Sequence, residues 1–189
     1  MGKTAVAVCG LLCFCGLLRI GEALQLTWED LVFPDQHRSG YFIVVMLKLP
    51  KRAAKDTEKV YLTNHILIKL VLQFRSMSTC KAQEKVFNFS YTTFSYWFQK
   101  GLGILGFGDS NFRSHSMRRG GATLLALKHA TLKQICDAGR WANEKTARLY
   151  VQKGEVLLLR LKANVSDLAW KAIVDMAALL ARLDLAMSG

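Results

Sequence analysis

Proline is scarce in this sequence, at 2 of 189 residues, and so is acid: 14 Asp and Glu stand against 26 Lys and Arg, a formal net charge of +12. Little proline together with 51% hydrophobic residues excludes disorder as the main description and provides apolar material for one sizeable core. The 14 glycines follow no period and no repeat of solenoid length occurs, which excludes collagen-like and repeat architectures. Five cysteines, at 9, 13, 15, 80 and 136, form no CxxC pair, and the four histidines do not stand at zinc-ligand spacing with them. Neither a disulfide scaffold nor a structural zinc site is expected. A reducing intracellular compartment is, whether nuclear or cytoplasmic and nucleoid. The excess of positive charge calls for a polyanionic partner, nucleic acid or an anionic membrane surface.

Long hydrophobic runs are also few. Residues 5–18, AVAVCGLLCFCGLL, follow Lys3 and have the look of a signal-peptide core. At 14 residues the run is too short to span a bilayer, which takes about 20. No small-x-small cleavage site follows, and Val6 stands where a myristoylation signal needs Ser or Thr. A buried core helix is the expectation, and no membrane partner is expected.

That helix is expected over residues 4–25, with Arg19 and Glu22 continuing its register. A short strand follows at Leu31-Val32-Phe33, then turns at Pro34-Asp35 and Ser39-Gly40, and a buried strand over residues 41–47, rich in β-branched and aromatic residues. The charged stretch 48–59 ends at a third strand, Val60-Tyr61-Leu62, so the three strands predict a small antiparallel sheet with a basic hairpin tip. Apolar positions 66, 67, 70, 71 and 74 predict an amphipathic helix over 64–75. Further helices are expected over 92–100, 115–128, 131–138 (stopped by Gly139) and 143–151, with a glycine-opened loop from Gly101 to Arg113. The fold class is α+β, mainly α, with one three-stranded antiparallel sheet near the N-terminus. Residues 1–152 form its main body and 153–189 a helical tail.

Gly101-Leu-Gly103-Ile-Leu-Gly106 matches the dinucleotide string GxGxxG, but a helix precedes it and a polar loop follows, the reverse of what phosphate binding needs. Four other pieces make sense as one site. Arg19-Ile-Gly-Glu22 closes the apolar run; the hairpin carries Lys48, Lys51, Arg52 and Lys55; His115 and Arg118 are three apart and share a helix face; and Gly139-Arg140-Trp141 precedes Tyr150, which stands nine residues after the tryptophan.

These residues carry a resemblance. Arg19-x-x-Glu22-x-x-x-Leu26-x-Trp28-x-Asp30 resembles the first box of the tyrosine recombinase (phage integrase) catalytic domain, His115-x-x-Arg118 followed by Gly-Gly-Ala-Thr the second, and Gly139-Arg140-Trp141 with Tyr150 the third. The match covers about residues 4–152. The resemblance implies Arg19 and Arg118 as phosphate-clamping arginines, His115 as an acid/base residue, Trp141 in the family's His/Trp position, Tyr150 as nucleophile and Glu22 as acidic support. The family's lysine lies on the hairpin, here Lys51 first and Lys48 second. Lys48, Arg52, Lys55, Arg119 and Arg140 are expected to follow the flanking DNA backbone.

Metal-free strand breakage needs these residue types. A phenol with an ordinary pKa of about 10 becomes a nucleophile when nearby cations favour its phenolate. Two guanidiniums aim fixed, permanently charged donors at the charge that develops on phosphorus. A mobile lysine suits delivery of a proton to the leaving 5′-oxygen. A phosphotyrosine keeps the bond energy, so a free 5′-hydroxyl reverses the step and the outcome is strand exchange, as in DNA integration and mobile-element recombination. No cofactor is implied.

In the resembling family an N-terminal DNA-binding domain usually closes a clamp on the duplex. This sequence opens inside the first catalytic-domain helix, so a fragment, a truncated gene or a degenerate mobile-element copy is expected. Weak, salt-sensitive duplex binding follows, with poor recombination or none. The resemblance further implies self-association on DNA as a tetramer, with the tail docking on its own or a neighbouring protomer. A type IB topoisomerase uses a similar residue set, but the short box spacing and Arg-Ile-Gly-Glu favour a recombinase. The alternatives are a catalytically silent DNA-binding remnant and a membrane-associated basic protein led by residues 5–18.

Overall fold

The computed structural model describes residues 2–33, 42–48, 58–78 and 80–151. Lys51, Arg52, Lys55, the turns at Pro34-Asp35 and Ser39-Gly40, and the 153–189 tail lie outside the described residues. The described part is mainly helical, with one three-stranded antiparallel sheet, in agreement with the expected fold class.

Helix α1 (Gly2–Cys15) is apolar on nearly every side because it is central. Its stripe Ala5, Val8, Cys9, Leu12 and Cys13 is buried at i, i+3, i+4, i+7, i+8 spacing. The remaining faces meet α3 (His65–Ser76), α4 (Tyr91–Ile104) and α5 (Ser114–Leu127). Among the described residues no helix is long and apolar enough to cross a membrane. Phe14 and Leu17 press against α5 so closely that only glycine fits opposite them. A Cβ on Gly121 would lie 1.9 Å from the Phe14 carbonyl oxygen.

The single helix expected over 4–25 is two. Helix α1 stops at Cys15, Leu17 takes a left-handed φ of 49°, and α2 (Ile20–Gln25) starts afresh with Arg19 as its N-cap. The break has a physical cause. The Leu17 side chain is buried in a second apolar cluster with Ala122, Ala126, Ile135, Cys136 and Ala147, and Glu22 folds back to accept the Arg19 backbone N–H at 2.8 Å.

A 3₁₀ turn (Trp28–Asp30) leads into β1 (Leu31–Val32), which pairs with β2 (Ile43–Leu47), and β2 pairs with β3 (Glu58–Leu62). The register sets Leu31 opposite Val45 and Leu47 opposite Glu58. Strict alternation sends Ile43, Val45, Leu47, Val60 and Leu62 into the main core. Residues 82–86, assigned no element from sequence, run alongside 26–29 through Trp28 N–H to Glu84 O (3.1 Å) and Val86 N–H to Leu26 O (2.9 Å). They bring Phe87 against Phe74 and Phe74 against Trp28.

Helix α4 extends past the expected loop start at Gly101 to Ile104. Gly101 and Gly103 face open space, so they weaken the helix without breaking it. The stop comes at Gly106, with φ 80°, where Gly106 N–H bonds Gly103 O and Phe107 N–H bonds Leu102 O. Helix α6 (Leu132–Gly139) ends by the same device shifted one residue from expectation: Arg140, not Gly139, takes the left-handed position at φ 54°. Gly139 is glycine for another reason. A Cβ there would sit 2.2 Å from the Trp141 ring. Helix α7 (Glu144–Tyr150) starts on an Asn143 side-chain cap, Thr146 N–H to Oδ1 at 3.0 Å.

Candidate active site

Helices α5, α6 and α7 close around the second apolar cluster, against which Trp141 and Tyr150 pack from its edge. Tyr150, the last residue of α7, is held at its backbone by Thr123 Oγ1, 3.2 Å from Tyr150 O. Its ring stacks on Trp141, with centroids 4.7 Å apart and planes at 28°. Its hydroxyl lies 3.0 Å from His115 Nε2, on the first turn of α5. Residues 35 positions apart in sequence are thus within hydrogen-bond distance.

The His115 imidazole is pulled below its ordinary pKa of 6.5, first by burial and then by the Arg118, Arg119 and Arg19 guanidiniums. At neutral pH it is uncharged and, in the tautomer with Nε2 bare, accepts a hydrogen bond from the Tyr150 hydroxyl; a proton taken up from solvent charges it. A stability consequence follows. Because the unfolded chain takes this proton more readily than the native one, stability drains away as pH falls below about 6.5 toward the depressed native value. We expect Tm to fall less over that interval in His115→Gln than in the parent, measured by thermal scans from pH 7.5 to 5.5; equal slopes would mean that His115 titrates normally.

Arg118, one turn on, is 1% exposed and donates from Nη1 to Leu17 O and from Nη2 to Gly139 O. Its guanidinium lies over the Trp141 ring, 4.9 Å from the centroid. Burial first, then Arg140 and Arg19, push its pKa down to about 10, so it stays charged at neutral pH. The left-handed turn at Leu17 is what aims that residue's carbonyl at Arg118.

Glu22 gathers the arginines. Its Oε1 lies 2.6 Å from Arg19 Nη1, and its Oε2 lies 2.6 Å from Arg140 Nη2 and 4.0 Å from Arg118 Nη1. Of the three, Arg19 is the exposed one, its side chain 57% accessible, on a cleft of about 680 Å³ between α2 and the base of β2 and β3. Lys48, on the same cleft, pairs with Glu29 at 3.0 Å and Asp30 at 3.1 Å. Hydrogen bonds to these carboxylates raise its pKa above the ordinary lysine value and hold the ammonium protonated.

Two groups therefore form: His115, Trp141 and Tyr150, and Arg19, Glu22 and Arg140, with Arg118 between them. Arg119 is half-buried on α5. Arg140, expected to follow the DNA backbone, lines the same cleft as Arg19 with a side chain 7% exposed. Sequence reasoning missed Glu58, which lies 3.0 Å from Arg140 Nε, and the Leu17 carbonyl. Glu58 looks like one more charge in a charged run, and a main-chain acceptor has no residue signature. Among the described residues no group of three or more His, Cys, Asp or Glu is placed to hold a metal.

No protein-family profile and no curated protein matches the chain. Solved structures do. XerH site-specific recombinase, in a post-cleavage complex with palindromic difH substrate, superposes at a TM-score of 0.63 with 19% identity over 87% of this chain and 47% of its own. XerA recombinase gives 0.58 and 15% over 93% and 61%. The Tn1549 transposon integrase in complex with transposon right end DNA gives 0.56 and 17% over 85% and 58%. The chain spans about half the length of the XerH structures, at 47% and 44%. The fold is that of tyrosine recombinase catalytic domains.

Proposed function

We propose that this chain acts on duplex DNA as a tyrosine recombinase, breaking and rejoining strands through a covalent bond between Tyr150 and a 3′-phosphate. The observation that carries the reading is the 3.0 Å contact between Tyr150 Oη and His115 Nε2, set among buried and exposed guanidiniums. The fold it shares with XerH and the Tn1549 integrase, both of them solved with DNA, supports it.

In the proposed step Tyr150 Oη attacks the scissile phosphorus and its proton passes to His115 Nε2. The bond from phosphorus to the 5′-oxygen breaks, and that oxygen takes a proton from a hairpin lysine, Lys51 or Lys48. The products are a 3′-phosphotyrosine and a free 5′-hydroxyl. Arg19 meets the non-bridging oxygens from the exposed side. Arg118, its terminal nitrogens on main-chain carbonyls, adds its charge to the field that favours the phenolate. Trp141 stacks on the tyrosine ring and limits where its hydroxyl points. The chemistry also assigns Arg52, Lys55 and Arg119 to backbone phosphates, and assembly into a tetramer on DNA is part of the proposal, as is a mobile-element or chromosomal target.

The test is incubation with a nicked suicide duplex, whose cleaved fragment diffuses away, followed by a denaturing gel. A protein band shifted by one DNA strand is the expected result. Duplex binding without any covalent band sinks strand cleavage and leaves a silent DNA-binding protein.

A further inference from the structure

Arg140 occupies a left-handed backbone position, φ 54°, that disfavours every residue with a Cβ and that glycine fills without strain. An arginine kept there asks for a reason in its side chain. The guanidinium is buried between two carboxylates from distant parts of the chain: Nη2 is 2.6 Å from Glu22 Oε2, and Nε is 3.0 Å from Glu58 Oε2. Nη2 also lies 3.4 Å from the Leu17 carbonyl that Arg118 uses. Nη1 and Nε are both buried without a hydrogen-bond partner among the described residues, so Nε meets Glu58 as an ion pair and not as a hydrogen bond. The side chain lines the same cleft as Arg19 but is only 7% exposed, so a phosphate meets its guanidinium fully only if the carboxylates let go.

We infer that Arg140 is a positioning residue: by serving as the buried counter-charge of Glu22 and Glu58, it sets Glu22 and, through it, Arg19, without touching DNA itself. Glu22 has two close guanidiniums to share, Arg19 on Oε1 and Arg140 on Oε2. With Arg140 in place the carboxylate keeps a partner when Arg19 turns to a phosphate. Without it, Arg19 is the one close counter-ion left, Arg118 being at 4.0 Å, and Glu22 holds Arg19 back. Glu58 is the first residue of β3, so the same guanidinium ties the sheet to the segment that leads into Trp141 and Tyr150. A planar fork with donors on two edges serves two carboxylates at once; a lysine ammonium on the same path reaches one of them well.

The kinetic arm of the test rests on the strand-cleavage reading, and the binding arm does not. Rates of covalent adduct formation at saturating suicide duplex, and duplex affinity against KCl concentration, are measured for the parent, Arg140→Met, Arg140→Lys, Glu58→Gln, Arg19→Ala and the Arg19→Ala/Arg140→Met pair. Arg140→Met is expected to slow adduct formation by about 10- to 100-fold, the size of effect that misplacing a reacting group produces. Affinity changes by about twofold at most. Arg140→Lys recovers part of the rate. Glu58→Gln slows the parent and, combined with Arg140→Met in one further double variant, adds nothing to it, because both cut the same link. A merely structural role would lower the fraction of active protein and leave the rate constant of the folded fraction alone.

In the Arg19→Ala background, Arg140→Met leaves the slope of log affinity against log salt unchanged. A further loss of about 0.9 in that slope marks a direct phosphate contact and overturns the proposal. So does a folded Arg140→Met that cleaves at the parent rate. If Arg140→Met does not fold, Arg140→Lys and Glu58→Gln decide in the same two assays. A parent that binds duplex but forms no adduct sinks the strand-cleavage reading, while the salt slopes still decide Arg140.

Discussion

Tyr150→Phe is expected to abolish covalent capture of DNA, a loss of at least about 10⁴-fold in adduct formation, the scale on which removal of a nucleophile acts. The substitution isolates chemistry from packing. The phenyl ring keeps its stack on Trp141 and its place at the edge of the α5, α6 and α7 cluster, and the backbone keeps its bond from Thr123. What goes is one hydroxyl and its 3.0 Å contact with His115, worth about 1 kcal/mol of stability at most. Duplex affinity and its salt dependence should hold within about twofold, since the remaining cations are untouched. Thermal scans, filter binding and the suicide-duplex gel on one preparation separate the outcomes. An adduct as abundant in Tyr150→Phe as in the parent would falsify the assignment of the nucleophile, and Tyr91, whose hydroxyl lies 3.4 Å from Ser114 Oγ near the start of α5, would be the next residue to test.

Gly121→Ala is expected to cost the fold about 3 kcal/mol or more, a large share of the roughly 5–15 kcal/mol by which a domain is stable. The reason is the identity of the neighbour. An added Cβ lands 1.9 Å from the Phe14 carbonyl oxygen and 2.5 Å from Leu17 Cδ2, so α1 and α5 must separate or the turn at Leu17 must shift. Gly120→Ala, one residue earlier, is the internal control. Its Cβ meets the Phe14 ring at 2.8 Å, and a ring edge swings aside where a backbone cannot. Alanine also gains up to about 1 kcal/mol of helix propensity, so Gly120→Ala should fall within about 1 kcal/mol of the parent. Urea unfolding of both variants reads the difference, and equal costs would mean that the approach of α1 to α5 is not a backbone contact. Because Leu17 O is also an acceptor for Arg118, Gly121→Ala should slow adduct formation in whatever fraction remains folded.

The helices and strands were legible wherever a local pattern had a single reader. Ile43 to Leu47, read as a buried strand from its β-branched residues, is β2, and the helices expected from 131 and 143 start on Thr131 and Asn143, whose side chains cap them. Boundaries failed where a distant group decided them. The apolar run from 5 to 18 has helical character throughout, yet the chain turns at Leu17 because that side chain belongs to the cluster built by α5, α6 and α7. Gly139 reads as a helix stop, but the glycine is there to admit the Trp141 ring, and Arg140 makes the turn.

The candidate site divides along the same line. Its chemical inventory, an HxxR turn, a tyrosine nine residues after a tryptophan, an arginine three before a glutamate and a +12 balance, is written in residue types and short spacings, and the sequence by itself determined it. Which of those residues face outward is set by packing between segments more than 100 residues apart, as in the pairing of Arg118 with Leu17 and of Arg140 with Glu22, and no local spacing encodes that. Tertiary structure alone decided that Arg19 is exposed, that Arg118 is buried on two main-chain carbonyls, and that Arg140, one more basic residue in the sequence, is held inside by Glu22 and Glu58. The physical reason is desolvation: a guanidinium goes inside only where carboxylates and carbonyls from elsewhere in the chain are assembled to receive it.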